Sequence, residues 1–100
     1  MAVTAILDLQ LKADSLDSAL KVINETLVAT RAFPGCLGVS VLVDSADPAH
    51  VVVLESWESI EHDRAYREWR ASGDPAAASG LGSIVAGPPK LTLFTTAEGV

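Results

Sequence analysis

The sequence is poor in the residues that form disulfides, metal centres and basic surfaces. It has one cysteine, Cys36, and two histidines, His50 and His62, and no His/Cys/carboxylate set has the spacing of metal ligands. Its seven lysines and arginines form no run, and the formal net charge is -6. Because nucleic acids and anionic membranes bind basic patches, we expect neither as a partner, and we expect no bound metal.

Nucleotide-binding and targeting motifs are also missing. The sequence has no Walker loop, and Gly80 and Gly82 stand in a run that lacks the third glycine of a dinucleotide fingerprint. The amino terminus lacks the basic start and long apolar core of a signal peptide, and no apolar run approaches the roughly 20 residues that span a bilayer. We therefore expect a cytoplasmic protein that uses no cofactor.

Apolar residues are abundant and make up 49% of the 100 residues. The length fits one domain over residues 1–100, and a chain of this size buries only about two thirds of the surface that it exposes when unfolded. Apolar surface left over in a small domain commonly forms a subunit interface. The composition therefore predicts an oligomer.

The spacing of the apolar residues predicts six elements. They follow in the order strand 3–12, helix from Asp14 or Ser15 to about Arg31, strands 36–43 and 51–54, helix from Ser59 to about Ser72, and strand 90–96. In the first helix, apolar residues recur at spacings of four, three and four, at Leu16, Leu20, Ile23 and Leu27. We expect this stripe to lie on the sheet. The small residues of segment 73–89 predict a loop with one or two turns of loose helix, acting as a lid or packing flap.

This order predicts an α+β fold of the ferredoxin-like βαββαβ type. Its four-stranded antiparallel sheet would carry both helices on one face. The other face would carry an apolar set among polar neighbours, namely Ile6, Leu42, Val52, Leu54 and Phe94. Because that face is too apolar to stay in contact with water, we expect a homodimer that pairs through it.

One group of side chains in the second half of the chain could form a site. Trp57 ends the third strand, and His62, Tyr66 and Trp69 follow at helical spacings of four and three, with Arg70 beside them. Such a stripe fits a pocket for a flat aromatic molecule, in which the tryptophans stack and His62 and Tyr66 exchange protons or form hydrogen bonds. The alternative is that the aromatic residues pack in the core and that His62 is an exposed residue of the first helical turn.

Two further features have simple structural interpretations. Asp63 and Arg67 are spaced for an ion pair on the second helix. Cys36 follows a glycine at a strand start, and no histidine is near it in sequence, so we expect a small buried residue rather than a nucleophile.

Three motifs carry a resemblance to a known family. They are Pro34-Gly35-Cys36-Leu37-Gly38, Leu54-Glu55-Ser56-Trp57-Glu58-Ser59, and Ala86-Gly87-Pro88-Pro89 before the last strand. Together they resemble the antibiotic biosynthesis monooxygenase superfamily, whose members are typically dimeric ferredoxin-like α+β barrels. The resemblance implies a homodimer and one of two activities, which are cofactor-independent oxygenation of polycyclic phenols or quinols and oxidative degradation of haem.

Haem degradation fits this sequence poorly. Haem-degrading relatives use an asparagine on the first strand, a tryptophan at the end of the third and a histidine on the following helix. Trp57 matches the tryptophan, but the first strand has no asparagine and the position nine after Trp57 is Tyr66. His62 comes about one turn too early. Haem degradation is therefore the least favoured of the functions that the resemblance implies, and we expect no cofactor.

The oxygenase activity implies a small aromatic substrate and dioxygen as partners. Such relatives bind the substrate between helices and sheet with tryptophan, tyrosine, asparagine and arginine side chains. On that basis His62 or Tyr66 would manage the proton, and Trp57, Trp69 and Arg70 would hold the ring system. The scarcity of acid and base residues keeps a second interpretation open, which is a non-catalytic dimer that binds a hydrophobic ligand or serves as an assembly module.

Overall fold

The computed structural model describes residues 2–14 and 16–100. The main elements follow in the order β1 (Val3–Gln10), α1 (Leu16–Ala32), β2 (Cys36–Val43), β3 (His50–Trp57), α2 (Ile60–Arg70) and β4 (Lys90–Thr95). The antiparallel sheet has the strand order β2-β3-β1-β4. The predicted βαββαβ fold is confirmed, whereas the predicted capping of α1 by Ser15 lies outside the described residues.

The two central strands carry the buried face of the sheet. Ala5 on β1 is fully buried and pairs with Glu55 on β3 and Leu93 on β4. Along β3 every second side chain is buried, from Val51 through Glu55 to Trp57. Because successive strand residues point to opposite faces, this alternation sends a carboxylate and a tryptophan toward the helices.

Helix α1 packs on the sheet through a stripe that differs from the predicted one. Its buried residues are Ala19, Ile23, Leu27 and Thr30. Leu20 is 39% exposed, so its predicted place in the stripe is wrong. The inward face is rotated toward Ala19, because this small residue allows the helix to approach the sheet closely, and Thr30 extends the stripe toward α2.

Helix α2 begins and ends where its sequence carries helix-boundary residues. The Ser59 side chain accepts a hydrogen bond from the His62 amide and caps the helix, as predicted. The helix ends at Arg70, two residues before the predicted end, and Gly73 follows with a φ of 83°. Asp63 and Tyr66 are its buried residues. The helix therefore presents a tyrosine and a carboxylate to the interior.

The segment after α2 closes one side of the space between helices and sheet. It contains two short 3-10 turns, Pro75–Ala77 and Leu81–Ser83, which confirms the predicted loose helical turns. Backbone hydrogen bonds tie it to the end of β1, and Ile84 lies in the core. Among the described residues, no helix has both the length and the hydropathy that crossing a membrane requires.

The face of the sheet opposite the helices is apolar, as its sequence pattern predicts. Leu42 is 52% exposed and Phe94 is 49% exposed on this open face. Ile6, Val52 and Leu54 lie between them and are half-buried. Large apolar side chains thus form a continuous patch across the strands.

Candidate functional site

A cavity of about 290 Å³ lies between the two helices and the sheet. Its apolar lining comes from β1, α1, β3 and the segment after α2, and its polar lining comes mainly from β3 and α2. The apolar residues include Leu7, Ile23, Leu27, Val53 and Leu81, and the polar residues with ionisable or hydroxyl groups include Thr26, Glu55, Tyr66, Arg67 and Arg70. Small-molecule sites usually combine apolar walls with a few placed polar groups in a cavity of this size class, roughly 300 Å³ and above.

Tyr66 is the polar centre of this helix–sheet cavity. Its hydroxyl lies 2.6 Å from Thr30 Oγ1 and accepts a hydrogen bond from Arg70 Nε at 2.7 Å. Arg70 Nη2 also donates to Thr30 Oγ1 at 3.0 Å. Both hydroxyl oxygens therefore accept from Arg70, and only one of them donates to the other. When Thr30 donates, the phenolic hydrogen of Tyr66 is available to a ligand.

Arg70 is positively charged, and no acidic side chain of the described residues forms an ion pair with it. Its other hydrogen bonds go to the carbonyl oxygens of Thr26 at 2.9 Å and Ala77 at 3.2 Å. Its Cζ lies 5.0 Å from the centroid of the Trp69 ring and 5.2 Å from that of Tyr66. The guanidinium is thus held firmly by neutral oxygens and rings, and its positive charge acts on the cavity.

Glu55 is a buried carboxylate on the cavity wall, and the sequence analysis did not select it. Its side chain is 2% exposed, and its Oε1 accepts from Arg67 Nη2 at 2.6 Å and from Trp57 Nε1 at 3.2 Å. The available signal was the alternation of β3, which places Glu55 on the same face as Val53 and Trp57. A carboxylate on a buried strand face needs partners or a function.

Asp63 contacts the same Arg67 nitrogen as Glu55. Its Oδ1 is 3.1 Å from Arg67 Nη2, which confirms the predicted ion pair, although the contact lacks the geometry of a hydrogen bond. The Asp63 side chain is 3% exposed and does not line the cavity. In this Glu55–Arg67–Asp63 trio, two buried carboxylates share one guanidinium. The ionised trio therefore carries one net negative charge.

The structure places the two tryptophans around Tyr66, outside the cavity lining. Trp57 is fully buried, with its ring centroid 5.0 Å from that of Tyr66. Trp69 is half-buried and packs on Tyr66 at 6.2 Å and on Phe33 at 5.4 Å. Phe33 joins all three rings and was not selected from the sequence. The stripe is therefore an aromatic core cluster, from which Tyr66 reaches the cavity.

His62 lies apart from the cavity. Its Nδ1 is 2.7 Å from Ser59 Oγ, and its Nε2 is 3.7 Å from Glu58 Oε2. The ring covers Gly35, where an added Cβ would lie 2.3 Å from ring carbons. The structure thus brings Trp57, Tyr66, Trp69 and Arg70 together and leaves His62 at the start of α2.

A second polar cluster lies on the open sheet face. His50 Nδ1 is 2.8 Å from Asp44 Oδ2, and its Nε2 is 3.0 Å from Asp8 Oδ1. Ionised carboxylates only accept hydrogen bonds, so both ring nitrogens must donate and the imidazole must be protonated. The hydrogen bond to Asp44, followed by the one to Asp8, raises the pKa of His50, and the bond from His50 lowers the pKa of Asp44.

Comparison with known proteins gives a family match and many structural matches. The model of a family described as antibiotic biosynthesis monooxygenase matches residues 2–79. Rv0793 from Mycobacterium tuberculosis is 20% identical, with coverage of 98% of this chain and 97% of its own and a TM-score of 0.75. A conserved protein from Methanosarcina mazei Go1 is 15% identical, with coverages of 97% and 94% and a TM-score of 0.79. A third structure, described as an antibiotic biosynthesis monooxygenase, is 19% identical, with coverages of 95% and 98% and a TM-score of 0.72. The search of curated proteins finds no match.

Proposed function

The chain belongs to the antibiotic biosynthesis monooxygenase family, and on that premise we propose that it is a cofactor-independent monooxygenase acting on an aromatic phenol or quinol. One observation carries the proposal. The helix–sheet cavity combines apolar walls with the Tyr66 hydroxyl and the unpaired charge of Arg70. A flat ring fits apolar walls, and a phenolic oxygen fits a hydroxyl donor backed by a cation.

The polar groups favour the anionic form of such a substrate. Arg70 fixes the Tyr66 hydroxyl from one side and Thr30 fixes it from the other, so Tyr66 can donate to an oxygen in the cavity without reorganisation. The guanidinium adds a fixed positive charge close to that oxygen. Negative charge that develops on a phenol is thereby stabilised by fixed donors beside an apolar wall.

The chemistry then needs only the substrate and dioxygen. The phenolic proton passes to a base, the electron pair stays on the phenolate oxygen, and the electron-rich ring passes one electron to dioxygen. The ring radical and superoxide then combine through a new C–O bond; the O–O bond breaks, one oxygen stays on the ring as a carbonyl, and the other leaves as water with two hydrogens from the substrate. The cavity holds the two reactants together. Tyr66 and Arg70 act on the oxygen of the ring, while the apolar wall, with Leu27 and Val53 among its residues, positions the carbon that is oxygenated.

Replacing Tyr66 with Phe tests this assignment directly. The variant keeps the ring within the aromatic cluster and removes only the hydroxyl. We expect oxygen consumption with 1,4-dihydroxynaphthalene, corrected for autoxidation, to fall about a hundredfold, the usual loss when one hydrogen-bond donor to a developing oxyanion is removed. Label from isotopic dioxygen should appear in the wild-type product.

Arginine substitutions provide the control. Arg70→Met should also lower the rate, whereas Arg64→Met changes an exposed residue of the same helix and should keep it. Circular dichroism establishes that each variant folds. Wild-type rates in both Tyr66→Phe and Arg70→Met would remove these residues from the mechanism.

The predominantly apolar wall of the cavity also favours a second function, which is binding of a hydrophobic ligand without turnover. The fully buried Trp57 fits that function as well, because a core tryptophan contacts no substrate. The two functions differ in one result. A ligand-binding protein would bind 1,4-dihydroxynaphthalene in the cavity with no oxygen consumption above the rate of autoxidation.

As a partner, we propose a second copy of the same chain on the open sheet face. Leu42 and Phe94 are about half exposed there, and the half-buried Ile6, Val52 and Leu54 connect them into one patch. A patch of this kind rarely stays in contact with water in a soluble monomer. Because the cavity opens on the other side of the sheet, pairing through this face leaves the cavity accessible.

A further inference from the structure

We infer that Glu55 accepts the hydroxyl hydrogen of the ligand in the helix–sheet cavity, and that the ligand is an aromatic with a free hydroxyl and a second oxygen. This inference rests on the proposed function and adds the proton acceptor that it lacks. Tyr66 and Arg70 supply donors and positive charge, and neither accepts a proton readily. The remaining ionisable groups on the wall are Glu55 and Arg67.

The hydrogen bonds of Glu55 leave room for a ligand. Both bonds from the protein, those of Arg67 and Trp57, end on Oε1. Among the described residues, no group forms a hydrogen bond with Oε2. The completely buried side-chain atoms that lack a partner do not include Oε2, so this atom keeps some accessible surface. A carboxylate offers about four acceptor positions, so Glu55, which lines the cavity, keeps acceptor capacity for a ligand.

The arrangement of charge favours this direction of proton transfer. The Glu55–Arg67–Asp63 trio has one excess negative charge, while Arg70 has an unpaired positive charge. Arg67 and Arg70 are three residues apart on α2, which is roughly 4.5 Å along the helix axis. Their Cζ atoms lie 4.9 and 5.2 Å from the centroid of the Tyr66 ring. The wall therefore presents the Glu55 carboxylate, paired with Arg67, and the unpaired guanidinium of Arg70, with both arginines close to the Tyr66 ring.

This pattern selects a ligand with two oxygens of different character. One oxygen must carry a hydrogen and donate to Glu55, and the other must accept from Tyr66 or face Arg70. A quinol, or a phenol with a carbonyl or carboxylate group, has both. In the reaction the ligand O–H bond breaks, the proton binds Glu55 Oε2, and the electron pair stays on the phenolate. The transfer neutralises the excess charge of the trio and moves negative charge into the ring.

A pair of ligands that differ only in the donor tests the inference. 4-Methoxy-1-naphthol (the naphthol) and 1,4-dimethoxynaphthalene (the ether) have the same ring system and two oxygens each, but the ether has no hydrogen to donate. Binding to the full-length wild-type protein is measured by calorimetry, which needs no turnover. We expect the naphthol to bind about tenfold more tightly or better, as a hydrogen bond to a charged acceptor allows.

Two matched variants locate the acceptor. Glu55→Gln keeps the shape and an oxygen for Arg67 and Trp57, and it should lose most of the preference for the naphthol while still binding the ether. Glu58→Gln makes the same change at an exposed carboxylate that does not line the cavity, and it should keep the preference. Thermal unfolding followed by circular dichroism shows whether both variants are folded at the temperature of the titration.

The outcomes separate this inference from the proposed function. Equal affinity of the wild-type protein for the two ligands overturns the role of Glu55, and this result requires no variant to fold. A preference that survives Glu55→Gln overturns it as well. A preference lost only in Glu55→Gln supports it, even if no phenol is oxidised, in which case the monooxygenase proposal alone fails.

Discussion

Gly35 holds a backbone conformation on which the start of β2 depends. Its φ is 88°, in the left-handed region that favours glycine, and the His62 ring covers the place where a side chain would begin. The same residue accepts a hydrogen bond from the Glu58 amide through its carbonyl oxygen. A single glycine thus allows the end of β3, the start of α2 and the approach to β2 to meet.

Replacing Gly35 with Ala should therefore destabilise the protein strongly. Gly73→Ala is the matched control, because its φ of 83° is similar and an added Cβ meets nothing within 4 Å. We expect Gly73→Ala to lower the free energy of unfolding by roughly 1–2 kcal/mol, the cost of the left-handed conformation. Gly35→Ala should cost more, since His62 must also move. Equal losses in urea unfolding would show that the contact with His62 has no energetic effect.

At the scale of residues, the sequence predicted which aromatic residues lie together better than it predicted what each of them does. The helical spacing of Tyr66 and Trp69 and the position of Trp57 placed the rings together, as observed. It did not show that Trp57 would be fully buried, because depth depends on how α1 and Phe33 cover it. Glu55 was missed because a single carboxylate in a strand usually faces water.

His50 and its two carboxylate partners join three segments of the open face, namely β1, β3 and the turn after β2. Asp8 belongs to β1, His50 begins β3, and Asp44 follows β2. The protonated imidazole therefore links three neighbouring segments on the open face. Because its side chain is 33% exposed, solvent screens the interaction and its contribution to stability is small.

Stability should consequently depend on pH through His50. A raised pKa in the folded state means that the stabilisation is complete below the ordinary histidine pKa of about 6.5 and is lost as the pH rises through the raised value. The lowered pKa of Asp44 has the opposite sign, so its contribution is present above about pH 3.9 and is lost as the pH falls through the lowered value. The melting temperature of the wild-type protein should exceed that of His50→Gln by the largest amount between about pH 3.9 and about pH 6.5. A difference that grows at alkaline pH would contradict this interpretation.

At the scale of elements, strands were predicted more accurately than helix faces. The alternation of β1 and β3 identified their buried sides because a strand has only two faces. The stripe of α1 was assigned to Leu20 instead of Ala19, since a helix can rotate by a fraction of a turn and small residues lie closest to a sheet. The 3-10 turns near Leu81 were expected, but their contacts with α1 were not visible in the sequence.

For the whole molecule, the open sheet face predicts a dimer in solution. Light scattering at micromolar concentration should give twice the mass of one chain for the wild-type protein. Leu42→Asp places a charge at the β2 edge of the patch and should yield a monomer. Val28→Asp, at a 66% exposed position on α1, is the control and should remain dimeric. A wild-type monomer would contradict the proposed pairing.

The overall topology was predictable because the element order and two-sided hydropathy leave few arrangements of four strands and two helices. The cavity was not predictable in the same way. It exists because the segment with residues 74–89 packs beside α1 and β1 and leaves space above Val53 and Glu55. That segment is rich in small residues and has no periodicity that would fix its path.

A crystal structure of the protein with 1,4-dihydroxynaphthalene, prepared without oxygen, tests most directly whether the helix–sheet cavity is the functional site. We expect the ring between Leu27 and Val53, with one oxygen in hydrogen-bonding distance of Tyr66 and the other near Glu55. A ring bound on the open sheet face, or a cavity without ligand at saturating concentration, would contradict this site.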